Sequence, residues 1–168
     1  MNLSGYPTLI FLIGRLLVGG MFLQAGISNM MGSRAATAGY AASKGLMAAD
    51  AMVLLASALL VVAGVCLVTG FHPWVGILAI TVFLIPVTVT MHNFWAYDGL
   101  TREIELHSFS GNVGLLGSAL MFLAIPQPWP LSVDAWIAAR GQSPILATDG
   151  GSPVASATLA QSDQAVQA

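Results

Sequence analysis

Four long stretches of this chain are apolar almost without interruption, and polar stretches separate them. The first runs from Thr8 to about Ile27, TLIFLIGRLLVGGMFLQAGI, with Arg15 as its only charge. About 20 residues at 1.5 Å rise each is the length of a bilayer-spanning helix. The second, Ala51 to Phe71, carries no charge. The third, Trp74 to about Asn93, contains Pro86, which should kink it. A membrane tolerates that if neighbouring helices, or hydroxyls such as those of Thr88 and Thr90, satisfy the freed carbonyl. The fourth, Phe109 to about Ile125, is slightly short.

The polar stretches predict the connections. Ser28 to about Ala49 is a Gly/Ala/Ser-rich link holding Arg34 and Lys44, and Asp50 is placed to cap the second helix. His72 and Pro73 form a tight turn, since Pro73 suits a first helical position. Asp98 to Leu106, DGLTREIEL, reads as an acidic loop. Pro126, Pro128 and Pro130 end the last helix, and Trp129 and Trp136 suit an interfacial anchor. The expected fold is all-α: a four-helix integral membrane bundle over 1–126, an interfacial segment over 127–140, and a disordered Ser/Ala/Gln/Gly-rich tail over 141–168. The first span does not read as a cleaved signal peptide, because no Lys or Arg precedes it and it is long for one.

Composition sharpens this. Hydrophobic residues make up 57% and charged residues 7%, where soluble domains carry about 25% charge. The lipid bilayer is therefore the first expected partner. A net charge of -2 offers no basic footprint for nucleic acid. Cys66 is the one cysteine, so no disulfide or CxxC pair forms within the chain, and the thiol reads as a packing group. Arg34, Lys44 and Arg102 lie in the two odd-numbered connections against Arg140 on the other side, which favours those connections facing the cytoplasm.

Candidate chemistry lies inside the membrane. A guanidinium at the depth of Arg15 costs several kcal/mol unless it is partnered or reaches water. Arg15, Gly19, Phe22 and Gly26 follow the i, i+4, i+7, i+11 spacing and share one helix face. The glycines allow another helix to come close. Arg15 either pairs with a carboxylate or carbonyl and fixes the bundle, or lines a pocket for an anionic or quinone-like headgroup. His92, Asn93, Phe94 and Trp95 end the third helix. His92 is either an interfacial belt residue or a proton-handling group, since imidazole exchanges protons near neutrality. The histidines lack metal-ligand spacing, so no metal is expected. On the fourth helix Gly111, Gly114 and Gly117 make a smooth face, Gly114 and Ser118 make a small-xxx-small pair, and both read as close helix packing together with Gly64 of the second span. Asn112 could cap or cross-link.

Arg15-Leu-Leu-Val-Gly-Gly-Met-Phe-Leu-Gln-Ala-Gly26, Gly64-Val-Cys-Leu-Val-Thr-Gly70, His92-Asn-Phe-Trp95 and Asn112-Val-Gly-Leu-Leu-Gly117 follow one another in this order. In that arrangement, from about Ile13 to Leu123, the chain resembles the DoxX family of small four-helix membrane proteins. The resemblance implies a multi-pass inner-membrane protein that is sometimes associated with redox systems. Some relatives are subunits of a thiosulfate:quinone oxidoreductase, and others associate with oxidative-stress proteins. It also implies a Lys where Asn29 stands, and often a Glu where Leu60 stands. Without that Glu, Arg15 must find a carbonyl, Asn112 or a carboxylate of the acidic loop, Glu103 or Glu105.

Three functions remain open. One is a non-catalytic accessory or scaffold in a membrane redox or oxidative-stress system, with a redox-protein partner or a homo-oligomer. Another is a quinone-linked oxidoreductase subunit with a pocket near Arg15, His92, Trp95 and Asn112. The third is a small transporter, which rests on Arg15 and Pro86.

Overall fold

The computed structural model describes residues 5–141. Its regular elements are helical: α1 Tyr6–Met31, α2 Arg34–Ser43, α3 Ala49–Thr69, α4 Pro73–Met91, α5 Gly99–Met121 and α6 Val133–Gly141. Short 3-10 turns follow α4 at Phe94–Ala96 and α5 at Phe122–Ala124. The chain divides into two compact units, Met1–Ala138 and Ala139–Ala168. The membrane helices all belong to the first unit. The tail expected to be disordered lies outside the described residues except for Gly141.

Four helical segments are long and apolar enough to cross a membrane: Tyr6–Met31, Ala49–Thr69, Pro73–Ala96 and Gly99–Ala124. Their outward faces carry Leu17, Leu78, Ile85 and Met121, all largely exposed. Such a surface suits hydrocarbon and not water. The spanning helices pack in the order α1, α3, α4, α5, each against the next.

Glycine sets the α1–α3 contact. The four buried residues of α1 are Arg15, Gly19, Phe22 and Gly26. A Cβ on Gly19 would come within 2.9 Å of Leu67, one on Gly26 within 2.9 Å of Ser57 and Val61, and one on Gly64 within 2.5 Å of Leu23. No side chain fits there, so the two backbones approach closely, as small residues permit in membranes. Leu60, Ala63, Leu67, Ile77, Ile80 and Leu84 fill the centre between α3 and α4, and Ala119 of α5 and Phe122 of the turn after it close it.

Several expectations change. The Ser28–Ala49 link is not irregular throughout: Ala-rich α2 occupies its middle, as the helix propensity of alanine favours. The supposed acidic loop is mostly helix, because α5 begins at Gly99, ten residues before Phe109. Asp50 caps nothing; it lies in the first turn of α3 and pairs with Arg34. Trp129 is no interfacial anchor. It is fully buried, packed edge-on against Phe11 at 5.1 Å and close to Phe122 at 5.6 Å between ring centroids. Gly111, Gly114 and Gly117 meet no atom that a Cβ would touch, and Ser118 is exposed with its hydroxyl on the Gly114 carbonyl. Among the described residues, nothing packs against that face of α5. Helix α4 continues through Pro86, and the Thr90 hydroxyl donates to the Pro86 carbonyl at 2.7 Å.

Candidate functional site

Two polar constellations stand at opposite ends of the bundle. The first surrounds Arg15, which is 2% exposed. Its Nη2 donates to the Leu131 carbonyl at 2.8 Å and its Nη1 to the Pro130 carbonyl at 3.4 Å. Its guanidinium lies 6.0 Å from the centroid of the Trp129 ring. Its Nε is enclosed without a hydrogen-bond partner among the described residues. The prolines after α5 turn the chain back over this end. Gly70, with φ of 66°, leaves the space: a Cβ there would lie 2.5 Å from Ser132 Cβ and 2.8 Å from Arg15 Nη1.

So of the candidate partners for Arg15, the carbonyl is the one found. Asn112 and the acidic residues are not its partners. Leu60, standing where the resemblance implied a Glu, is buried among apolar side chains. The carbonyls after α5 take the place of a carboxylate.

The second constellation gathers where α2, α4 and α5 meet. Glu105, one turn and a half into α5, is 7% exposed. Its Oε1 accepts from Lys44 Nζ at 2.5 Å and from the Tyr40 hydroxyl at 3.2 Å, and its Oε2 lies 2.9 Å from His92 Nδ1. Lys44 Nζ also donates to the Tyr97 hydroxyl at 3.1 Å and lies 4.5 Å from the centroid of that ring. Burial by itself would lower the pKa of Lys44. The hydrogen bonds to Glu105, Tyr97 and Tyr40 outweigh burial and hold it well above its ordinary value. Tyr40 is pushed up, first by burial and then by the Glu105 charge.

This cluster borders an apolar groove of about 470 Å³ between α2, α3 and α4. Leu55, Ala56, Leu59, Phe83, Pro86 and Val87 form its walls, and Asn29, Thr37, Tyr40 and His92 stand among its lining. Asn29 Oδ1 accepts from Ser33 at 3.0 Å and Thr37 at 3.2 Å. His92 and Tyr40 therefore belong to both the groove and the buried ion pair. The shape suits a chain-like apolar ligand with a small polar head.

The pocket expected from the sequence thus comes apart. Arg15 is at the other end of the bundle. Asn112, partly buried on α5, is not in the groove lining. Trp95 is 57% exposed and packs edge-on against Phe94 and Phe109. Asn93 is partly buried, and its Oδ1 has no hydrogen-bond partner among the described residues. Of those residues only His92 faces the groove. Sequence reading did not single out Tyr40, Thr37 or Asn29 as groove residues, nor pair Lys44 with Glu105. The one local signal was charge: Lys44 is the lone charge between Arg34 and Asp50, and buried charges in membranes come paired.

No curated protein and no solved structure matches the chain. The DoxX family matches residues 10–93, half of the 168-residue chain. That stretch holds the Arg15 helix, the glycine-set α1–α3 contact, the groove and His92, while Glu105 and the Arg15 carbonyl partners lie beyond it. By that match the chain belongs to the DoxX family.

Proposed function

We propose that this protein is an accessory subunit of a membrane redox system that holds a quinone-type amphiphile in the α2–α3–α4 groove. The observation that supports this reading is the continuity of an apolar groove with a buried His92–Glu105–Lys44 cluster. The groove takes an isoprenoid or alkyl tail, and His92 meets the headgroup with a group that can exchange a proton. The inner membrane is the location that goes with a quinone. The protein carries no catalytic constellation of its own under this reading, and a partner protein supplies the chemistry. The outward Gly111, Gly114, Gly117 and Ser118 face of α5 has no packing role among the described residues, and it favours docking of such a partner or of a second copy.

The test is titration of the protein in lipid nanodiscs with a decyl-tailed benzoquinone. Saturable binding is expected, and Ala56→Trp, which fills the groove wall, should abolish it. Binding that is absent, or that persists in Ala56→Trp, removes the proposal.

A further inference from the structure

We infer that the groove selects its ligand by a hydroxyl that the ligand donates, and so holds the reduced, hydroquinone form more tightly than the quinone. This rests on the groove reading above and adds the form of headgroup recognised.

The placement of hydrogens decides the preference. A carboxylate only accepts, so at 2.9 Å from Glu105 Oε2 the Nδ1 of His92 carries the ring hydrogen. Lys44 supplies the positive charge opposite Glu105, and a neutral imidazole carries one ring hydrogen. His92 Nε2 is then a lone pair. Tyr40 is committed within the cluster: its hydroxyl hydrogen goes to Glu105 Oε1, and its oxygen accepts from Lys44. Thr37 gives its hydrogen to Asn29 Oδ1 at 3.2 Å. Thr90 gives its hydrogen to the Pro86 carbonyl at 2.7 Å, so three groove-lining side chains, His92, Thr37 and Thr90, have acceptors to offer. The Asn29 amide N–H is a donor and favours a carbonyl over a phenolic oxygen, but it is one group against several acceptors. A quinone brings acceptors alone and leaves these lone pairs facing its own. A hydroquinone or alkylphenol brings the missing hydrogen.

Glu105 is thus a positioning residue for the ring hydrogen, and changing it should change the preference. In Glu105→Gln the amide oxygen can stay on Lys44 while its N–H group turns to His92. Nδ1 then accepts, and the ring hydrogen moves to Nε2.

The experiment compares a decyl-tailed hydroquinone with its quinone, and 4-nonylphenol with its methyl ether, on the full protein in nanodiscs. One net hydrogen bond predicts that wild type binds each hydroxyl compound about five- to tenfold more tightly. Glu105→Gln should lose or reverse the preference. His92→Phe keeps a ring in place and should bind both members of a pair more nearly alike, which keeps the test valid if Glu105→Gln does not fold. Equal binding in wild type, tighter quinone binding, or an undiminished preference in His92→Phe overturns the inference alone. Failure of all four compounds to bind overturns the groove reading with it.

Discussion

Arg15 on α1 donates to the backbone carbonyl of Leu131, 116 positions further along the chain, at 2.8 Å. A charge placed in the first span is thereby satisfied by the turn that follows the last. A buried guanidinium without a partner is costly in hydrocarbon, so this contact ties the ends of the membrane domain together.

Cutting the chain after Ile125 removes Trp129, Pro130 and Leu131 together. At roughly 1.5–3 kcal/mol for a hydrogen bond to a charged group, the truncated protein should melt well below wild type in detergent. A chain ending at Arg140 keeps those residues and should match wild type. Arg15→Leu in the truncated background should restore part of the loss. Equal melting of the Ile125 truncation and wild type would show that Arg15 needs no such partner.

Gly64→Ala should separate α1 from α3, because its Cβ would sit 2.5 Å from Leu23 Cβ and 2.6 Å from Leu23 N. Overpacking of this kind costs about 1–3 kcal/mol. Gly114→Ala meets nothing and should stay within about 1 kcal/mol of wild type, on the favourable side. Thermal unfolding of the two variants, with size analysis in detergent, checks both. If Gly114→Ala leaves stability intact but changes the oligomer, the α5 face is covered by a second copy.

Lys44→Met leaves Glu105 buried with no cation. Breaking a buried pair from one side costs about 3–5 kcal/mol. Lys44→Met combined with Glu105→Leu removes both charges and should recover much of that loss. A double-mutant cycle measured by chemical unfolding gives the coupling, and additive losses would mean that the pair contributes nothing.

The pH dependence has a definite sign. Lys44 is held above its ordinary value of 10.5, so the folded state binds its proton more tightly than the unfolded chain. The Lys44 contribution is complete below pH 10.5 and is lost as pH rises through the higher folded value. The melting deficit of Lys44→Met should therefore be constant from neutral pH to about pH 9 and shrink in strong alkali. A deficit that stays undiminished in strong alkali would contradict the assignment.

The spans and the inward face of α1 were legible in the sequence. Hydropathy and a 3.6-residue period are local properties, and a glycine-and-arginine face is recognisable from the residues that carry it. Other features needed the tertiary structure. Asp98–Leu106 looks like a loop because its charges are costly in a membrane helix, yet it is helical. The charge of Glu105 is matched by Lys44, 61 positions away, and no local window contains both. Gly19 and Gly26 resemble Gly111 and Gly114 in sequence. The first pair meets α3 and the second meets nothing among the described residues, because small residues permit close approach without specifying a neighbour. Trp129 has the amphipathic ring of an interfacial anchor, but the turn after Pro126 carries it into the space beside Phe11 and Phe122. Which carbonyl meets Arg15, and which polar residues border a groove, depend on how distant segments pack. Periodicity says which side of a helix is buried, and only the packed chain says against what.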